Sequence, residues 1–393
     1  MAAPVIAWSG EAVSSGDAVT FAVANQPTWA AGDLCLVWVA TDGDNTFDVP
    51  NSGFNFNIAW GLTLLGQYSN GTASFGGLLY RRMTGAETGE LIIYENETSE
   101  TMYAVLMQIT GGIDEPILAP ISTGTNNAPN PLPVPALQVA HDCLYIACVA
   151  WDHNDTYSSS PTNYTAVQNG NSGSGSGDCG GAVAQRTLTA SSAAEDPGAF
   201  GLSGSEEWVS DTVCILGAAT DELQLKYPHS AAGAYTSFGK TTGNRYYGCS
   251  CKLRSTAALS TFDTFVGALG TPVDDLEVAL QADSSGAPSG SDLAVSGAVN
   301  VTTSQWYTFT FSSPPTLTAG TTYWIVVRRT GSLSDANYYQ YGYLNPASSN
   351  DIFPTRYWDG SSWTSLVTQV MYYLKGSSPS IIPRIGMAPK VAP

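Results

Sequence analysis

At 393 residues the chain is longer than one ordinary β-sandwich requires, so two domains are expected. Its 14 Lys and Arg against 33 Asp and Glu give a formal net charge of −19, which argues against nucleic acid and anionic membranes as partners. With 40 Gly, 22 Pro and only 12% charged residues it is not a helical protein, and with 43% hydrophobic and 11% aromatic residues it is not a disordered one.

The N-terminus, Met1-Ala-Ala-Pro-Val-Ile-Ala-Trp, has no basic segment and no long apolar segment, so no signal peptide is visible. No run approaches the ~20 apolar residues of a membrane span, so no membrane insertion is expected. A first β-sandwich is predicted over 1–220. Its strands start with Ala18-Val-Thr-Phe-Ala-Val23 and Asp33-Leu-Cys-Leu-Val-Trp-Val-Ala40, the second apolar on both faces and therefore central. Phe75 to Met83, Leu91-Ile-Ile-Tyr94 and Tyr103-Ala-Val-Leu-Met-Gln-Ile109 follow, each bounded by Gly, Asn or Thr. Asn127-Ala-Pro-Asn-Pro-Leu-Pro-Val-Pro135 must be a connection, because proline cannot donate to a central ladder. Cys143 to Trp151, Gly181 to Leu188 and Trp208 to Leu216 resume the core, and Gln168 to Gly177 reads as a flexible Gly/Ser/Asn loop.

Seven cysteines, an odd number without a C-x-x-C pair, point to free thiols and folding in a reducing compartment. Cys35, Cys148 and Cys214 lie in apolar runs, where cysteine acts as a small core residue. Cys249-Ser-Cys251 places two thiols on one side of a strand.

A second antiparallel β-sandwich is predicted over 221–376. Leu276-Glu-Val-Ala-Leu-Gln-Ala282 is apolar at every second position, and a turn-rich Asp283 to Gly290 follows. Gln305-Trp-Tyr-Thr-Phe-Thr-Phe311 alternates ring and hydroxyl, and Leu317 to Val327 supplies a turn and a buried strand. Such alternation buries one face and solvates the other. The last segment, 377–393, with spaced prolines and isolated apolar residues, reads as an extended tail.

The pattern Asp275-Leu-Glu-Val, Asp283 to Gly290, Trp306-Tyr-Thr-Phe, Leu317-Thr-Ala-Gly and Tyr323-Trp-Ile-Val resembles a jelly-roll module recurring in phage structural proteins and bacterial surface proteins. The first domain is similar to another phage pattern through Gly32-Asp-Leu-Cys-Leu-Val, Tyr80-Arg-Arg-Met-Thr-Gly-Ala-Glu and Trp208. The resemblance implies a virion accessory protein (fibre, head spike, decoration or tail-associated) of a phage or gene-transfer particle. It further implies other virion proteins as partners, homotrimers, and host-surface polysaccharide as a ligand.

The best candidate for such a ligand site is Tyr357-Trp358-Asp359-Gly-Ser-Ser-Trp363, two indoles on a tight turn, where a sugar's C–H face could stack on a ring. Tyr339, Tyr341 and Tyr343 stand beside it in sequence, and Trp151 opens a second candidate, Trp151-Asp-His-Asn-Asp155. The alternative for all these rings is to fill a core or an interface. Asp152 and Asp155 with His153, and Asp42, Asp44 and Asp48 in Asp42-Gly-Asp-Asn-Thr-Phe-Asp48, are candidate metal ligands. The latter run offers oxygen to calcium without matching the EF-hand spacing. No cofactor is otherwise expected. His141, His153 and His229 are the only histidines, and G-x-S-x-G, P-loop and H-E-x-x-H motifs are missing, so no enzymatic activity is expected. Two readings stay open beside glycan binding: a purely structural decoration protein, and a carbohydrate-active enzyme with two carboxylates about 5–10 Å apart in a groove.

Overall fold

The β-branched and aromatic runs become strands because each finds cover for at least one face. The computed structural model describes residues 3–14, 18–43, 62–71, 73–94, 101–112, 116–137, 140–153, 155–175, 177–217, 222–226, 234–253, 256–344, 355–366 and 369–377. Apart from one 3-10 turn at Val23–Asn25, the regular structure described is all β, in antiparallel sheets stacked as sandwiches.

The first sandwich pairs two sheets. One runs Val5–Ser14, Met102–Thr110, Leu34–Asp42, Ser74–Arg82, Thr63–Asn70. The other runs Thr165–Asn171, Cys179–Ser191, His141–Asp152, Glu206–Leu216, Ile117–Leu118, with Ser122–Asn126 also paired to Glu206–Leu216. Leu34, Leu36, Trp38 and Ala40 meet Leu144, Ile146, Cys148 and Ala150 between them. Trp38 Nε1 donates across this core to the Val149 carbonyl at 3.0 Å.

Both sheets are also covered on their far sides. Cys35, Val37 and Val39 pack on Val19, Phe21, Leu91 and Ile93, which come from the strand pair Ala18–Phe21 and Leu91–Tyr94. Tyr145, Ala147, Val149 and Trp151 lie under Val134, Leu137, Phe200 and Leu202. The proline-rich connection thus lies over the second sheet rather than in it. Its carbonyls at Pro129 and Asn127 accept from Phe200 N (2.7 Å) and Leu202 N (2.9 Å). This double cover is why Leu34–Asp42 and His141–Asp152 are buried almost throughout, and each large side chain so buried contributes about 1.5–3 kcal/mol.

One charged-type residue intrudes on this core. Asp211 is wholly buried, its Oδ1 accepts from Thr212 N at 2.7 Å, and its Oδ2 has no partner. Burial raises its carboxyl well above the usual carboxylate range.

Residues 168–171 differ from expectation. They complete the edge strand Thr165–Asn171, paired in register with Cys179–Ser191, instead of forming a loose loop. Gly170 is there because the strand presses on a ring: a Cβ would stand 2.8 Å from Tyr103 Cε2. Glycine here marks close approach, not looseness.

The second sandwich also pairs two sheets. The third sheet runs Glu222–Lys226, Tyr372–Ser377, Ala257–Leu269, Tyr338–Leu344, Ala234–Phe238, with Gln305–Thr310 and Thr316–Leu317 also on Ala257–Leu269. The fourth runs Pro288–Val295, Leu276–Asp283, Thr322–Arg329, Tyr246–Lys252, Thr355–Trp358, Trp363–Leu366. Leu276, Val278, Leu280, Ile325 and Val327 of the fourth sheet face Phe262, Val266, Tyr339, Tyr341 and Leu374 of the third. Tyr373, on the far side of its strand from Tyr372 and Leu374, joins the outer cluster of the first sandwich and stacks on His141 at 6.4 Å and 5°. The last described strand therefore touches both sandwiches. Within the expected tail 377–393, residues beyond Ser377 lie outside those described. All seven cysteines are buried and free.

Candidate functional site

The fourth sheet has one face in the core and one turned outward, and the strand periodicity sorts its residues. Tyr247, Cys249 and Cys251 point inward, so Tyr246, Gly248 and Ser250 point out. Register then aligns Tyr246 with Trp358, and Trp358 with Trp363, across the outer face. The two indoles lie 5.6 Å apart at 50°, both half-buried. The Trp363 ring runs inward over Gly248 beside Trp324; a Cβ on Gly248 would meet Trp363 Cζ3 at 3.4 Å and Trp324 Cε3 at 3.5 Å. Trp324 is fully buried and donates its Nε1 to Asp283 Oδ1 at 2.7 Å.

The turn between the indoles is held by Asp359. Its Oδ1 accepts from Ser361 N (2.7 Å), Ser361 Oγ (2.7 Å) and Ser362 N (2.9 Å). Those bonds, Ser362 N foremost, hold its carboxyl down at about 2. Asp359 thus serves the turn rather than offering free oxygens to a sugar hydroxyl. Gly360 carries φ +109° and lies under a guanidinium: a Cβ there would sit 2.3 Å from Arg245 Cζ. Arg356, two residues before Trp358 on the same face, lies over the Trp324 ring at 6.0 Å.

The other ring candidates do not join this face. Tyr339 and Tyr341 are in the core, because the alternation along Tyr338–Leu344 points them between the sheets rather than outward. Tyr341 instead takes the Thr264 hydroxyl at 2.7 Å. Tyr343 shares their side of the strand and is half-buried. Tyr357 packs on the core with Tyr247, its ring 6.5 Å away. Trp151 belongs to the first sandwich and is fully buried, its Nε1 donating to the Asp155 carbonyl at 2.8 Å. Of the eight residues expected to meet a glycan, Trp358 and Trp363 alone form an outward ring pair.

The metal candidates are regrouped. Asp44 and Asp48 lie outside the described residues. Asp155 turns away: its Oδ1 accepts from Ser203 Oγ at 2.7 Å, and it braces the loop after the strand. Asp42 and Asp152, from two different strand ends, lie close enough to interact, and His153 and Glu206 complete a cluster with Asp152. One ligand-type atom each from Asp152, His153 and Glu206 lies within 4.8 Å of the others. His153 Nδ1 stands 3.0 Å from both Glu206 Oε2 and Asp152 Oδ2. Its backbone has φ 61°, which turns the ring back over the strand end. The Glu206 contact raises the imidazole's pKa, while burial raises that of Asp152. Imidazole plus carboxylates suits zinc or manganese better than the all-oxygen set of calcium. The same atoms also close on themselves, with a protonated His153 as the cation.

Sequence reading did not single out Glu206, Tyr246, Arg245 or Arg356 for a role. Glu206 stands next to Glu207 on a strand, where neighbours face opposite ways and the pair alone makes no site; the others carry no local motif. Only the register of Tyr246–Lys252 against Thr355–Trp358 reveals them. Comparison with known protein families, characterised proteins and solved structures finds no match for this chain.

Proposed function

We propose that the chain is a non-enzymatic, glycan-binding structural protein of a phage or gene-transfer particle, displayed on the virion. The outer face of its fourth sheet would meet host-surface polysaccharide. The observation that carries the binding reading is the tilted Trp358–Trp363 pair, half-buried side by side on the outer face of the fourth sheet. A pyranose stacks its C–H face on such a ring, and each stacking contact is weak. Many copies on one particle would multiply it through avidity. The double cover of the first sandwich supports a role in attachment or assembly for that half.

A binding role is favoured over carbohydrate cleavage by the placement of the carboxylates. Cleavage needs two of them facing a sugar across a groove. Asp152 is only 5% exposed, and His153 bridges it to Glu206, so this group is engaged with itself.

The test is a glycan array with the purified protein beside a Trp358→Ala, Trp363→Ala double variant whose fold is checked by circular dichroism. Binding by the wild type that vanishes in the folded variant is expected. Binding that survives in the variant would remove the site, and no binding by an oligomeric wild type would leave a structural decoration protein.

A further inference from the structure

Several of the described cations of this acidic protein are matched to a carboxylate. Arg81 pairs with Glu87, Arg186 with Glu195, Arg328 with Glu277 and Asp292, Arg329 with Asp274, and Lys375 with Asp263. Arg245 and Arg356 stand apart. Neither has a carboxylate within ion-pair distance among the described residues, and the Nε of each is buried without a hydrogen-bond partner. Both flank the indole pair. Arg245 N donates to the Trp358 carbonyl at 2.7 Å, and its guanidinium lies against Gly360 at the turn. Arg356 lies on Trp324, with Nη1 3.5 Å from the Trp363 carbonyl.

Two guanidinium groups in a chain of net charge −19, both without a counter-ion among the described residues and both beside the outward Trp358–Trp363 pair, have a chemical meaning. Leaving a donor-rich cation half-buried and unmatched costs stability, and a carboxylate arriving from outside would supply the missing partner. Arg is suited to this, because its planar fork accepts a carboxylate through two parallel bonds while its face stays on a ring. Asp359 is held in its own turn by Ser361 and Ser362, and Asp283 accepts from Trp324 Nε1 and Gly286 N. We propose that the glycan recognised at this face is an acidic polysaccharide, its uronate or sialate carboxylates held by Arg245 and Arg356 while Trp358 and Trp363 stack on the rings. This rests on the glycan-binding reading above. The overall negative charge does not forbid it. At 0.15 M salt the Debye length is about 8 Å, so distant acids are screened while the contact pairs are not.

The experiment is affinity electrophoresis and calorimetry against polygalacturonate, alginate, hyaluronate and polysialic acid, each beside its carboxyl-reduced neutral polymer. The proteins are the wild type, Arg245→Gln, Arg356→Gln, Arg356→Lys and the Trp358→Ala, Trp363→Ala variant. The wild type is expected to bind at least one acidic polymer, to lose about tenfold or more on carboxyl reduction, and to weaken between 0.15 and 0.5 M salt. Each Arg→Gln is expected to lose about tenfold, and Arg356→Lys less, because it keeps the charge without the fork. Near-UV circular dichroism separates this from unfolding. Equal binding to neutral and acidic polymers, unchanged in the Arg→Gln variants but lost in the tryptophan variant, would overturn the acidic-ligand proposal and leave glycan binding standing. No binding of the folded wild type to any polymer would overturn both.

Discussion

The two sandwiches treat their outward faces in opposite ways. In the first, a strand pair covers one sheet and a proline-rich crossing covers the other, so even Trp151 disappears from the surface. In the second, the fourth sheet keeps an open outer face, on which Trp324 is buried among its neighbours while Trp358 and Trp363 stay half-exposed. The contrast shows that ring content does not mark a binding surface; what matters is whether a further layer follows. Trp151 lies under such a layer, and Trp358 and Trp363 do not.

The largest effect expected from this contrast is at Trp38, which fills the inter-sheet core and donates to Val149. Trp38→Ala should cost about 3–5 kcal/mol in chemical denaturation, whereas Trp358→Ala should cost about 1 kcal/mol or less. Equal losses would end the distinction between covered and open rings.

Next in size is Asp211. Its carboxyl pKa is raised in the folded state, so the unfolded chain releases the proton first as pH rises. Stability is therefore undiminished below the unfolded pKa of about 3.9 and falls above it. Asp211→Asn should stabilise the protein by about 1–3 kcal/mol at pH 7 and by nothing measurable near pH 3. Stabilisation that did not depend on pH would refute the buried-acid account.

The two histidines that can be placed should pull in opposite directions. His141, at the junction with Tyr373, has its pKa lowered by burial, so its contribution is present above the unfolded value of about 6.5 and lost as pH falls below it. His153, raised by Glu206, contributes below about 6.5 and loses this as pH rises through its higher folded value. His141→Phe should therefore flatten the acid side of a melting-temperature profile, and His153→Gln should lower melting temperature at pH 5.5 but not at pH 9. The second effect should stay under about 1 kcal/mol, because that side chain is 39% exposed.

Much of the fold was legible because period-two alternation and uninterrupted apolar runs are local signals. Asp33 to Ala40 announces a strand buried on both faces, and the prolines of 127–135 announce a segment outside the ladder. The site was legible only in part. Alternation says that Tyr339 and Tyr341 share a side, but not which side meets the third sheet's partner. Gly170 reads as looseness until Tyr103 is seen against it. The meeting of Asp42, Asp152, His153 and Glu206, and of Arg245 with Gly360, depends on pairings between distant strands that no short window contains.

The pairing of Glu222–Lys226 with Tyr372–Ser377 has a consequence for biosynthesis. The first sandwich draws its strands from residues 5–216 and can close while the ribosome is still making the rest. The second cannot, because its earliest strand waits for its latest one. Until translation reaches Tyr372, the edge of Ala257–Leu269 that receives that strand stands open, a template for mispairing with a neighbouring nascent chain. The same late strand delivers Tyr373 to His141. One short stretch thus acts as a latch, finishing the second half and fastening it to the first in a single step of synthesis.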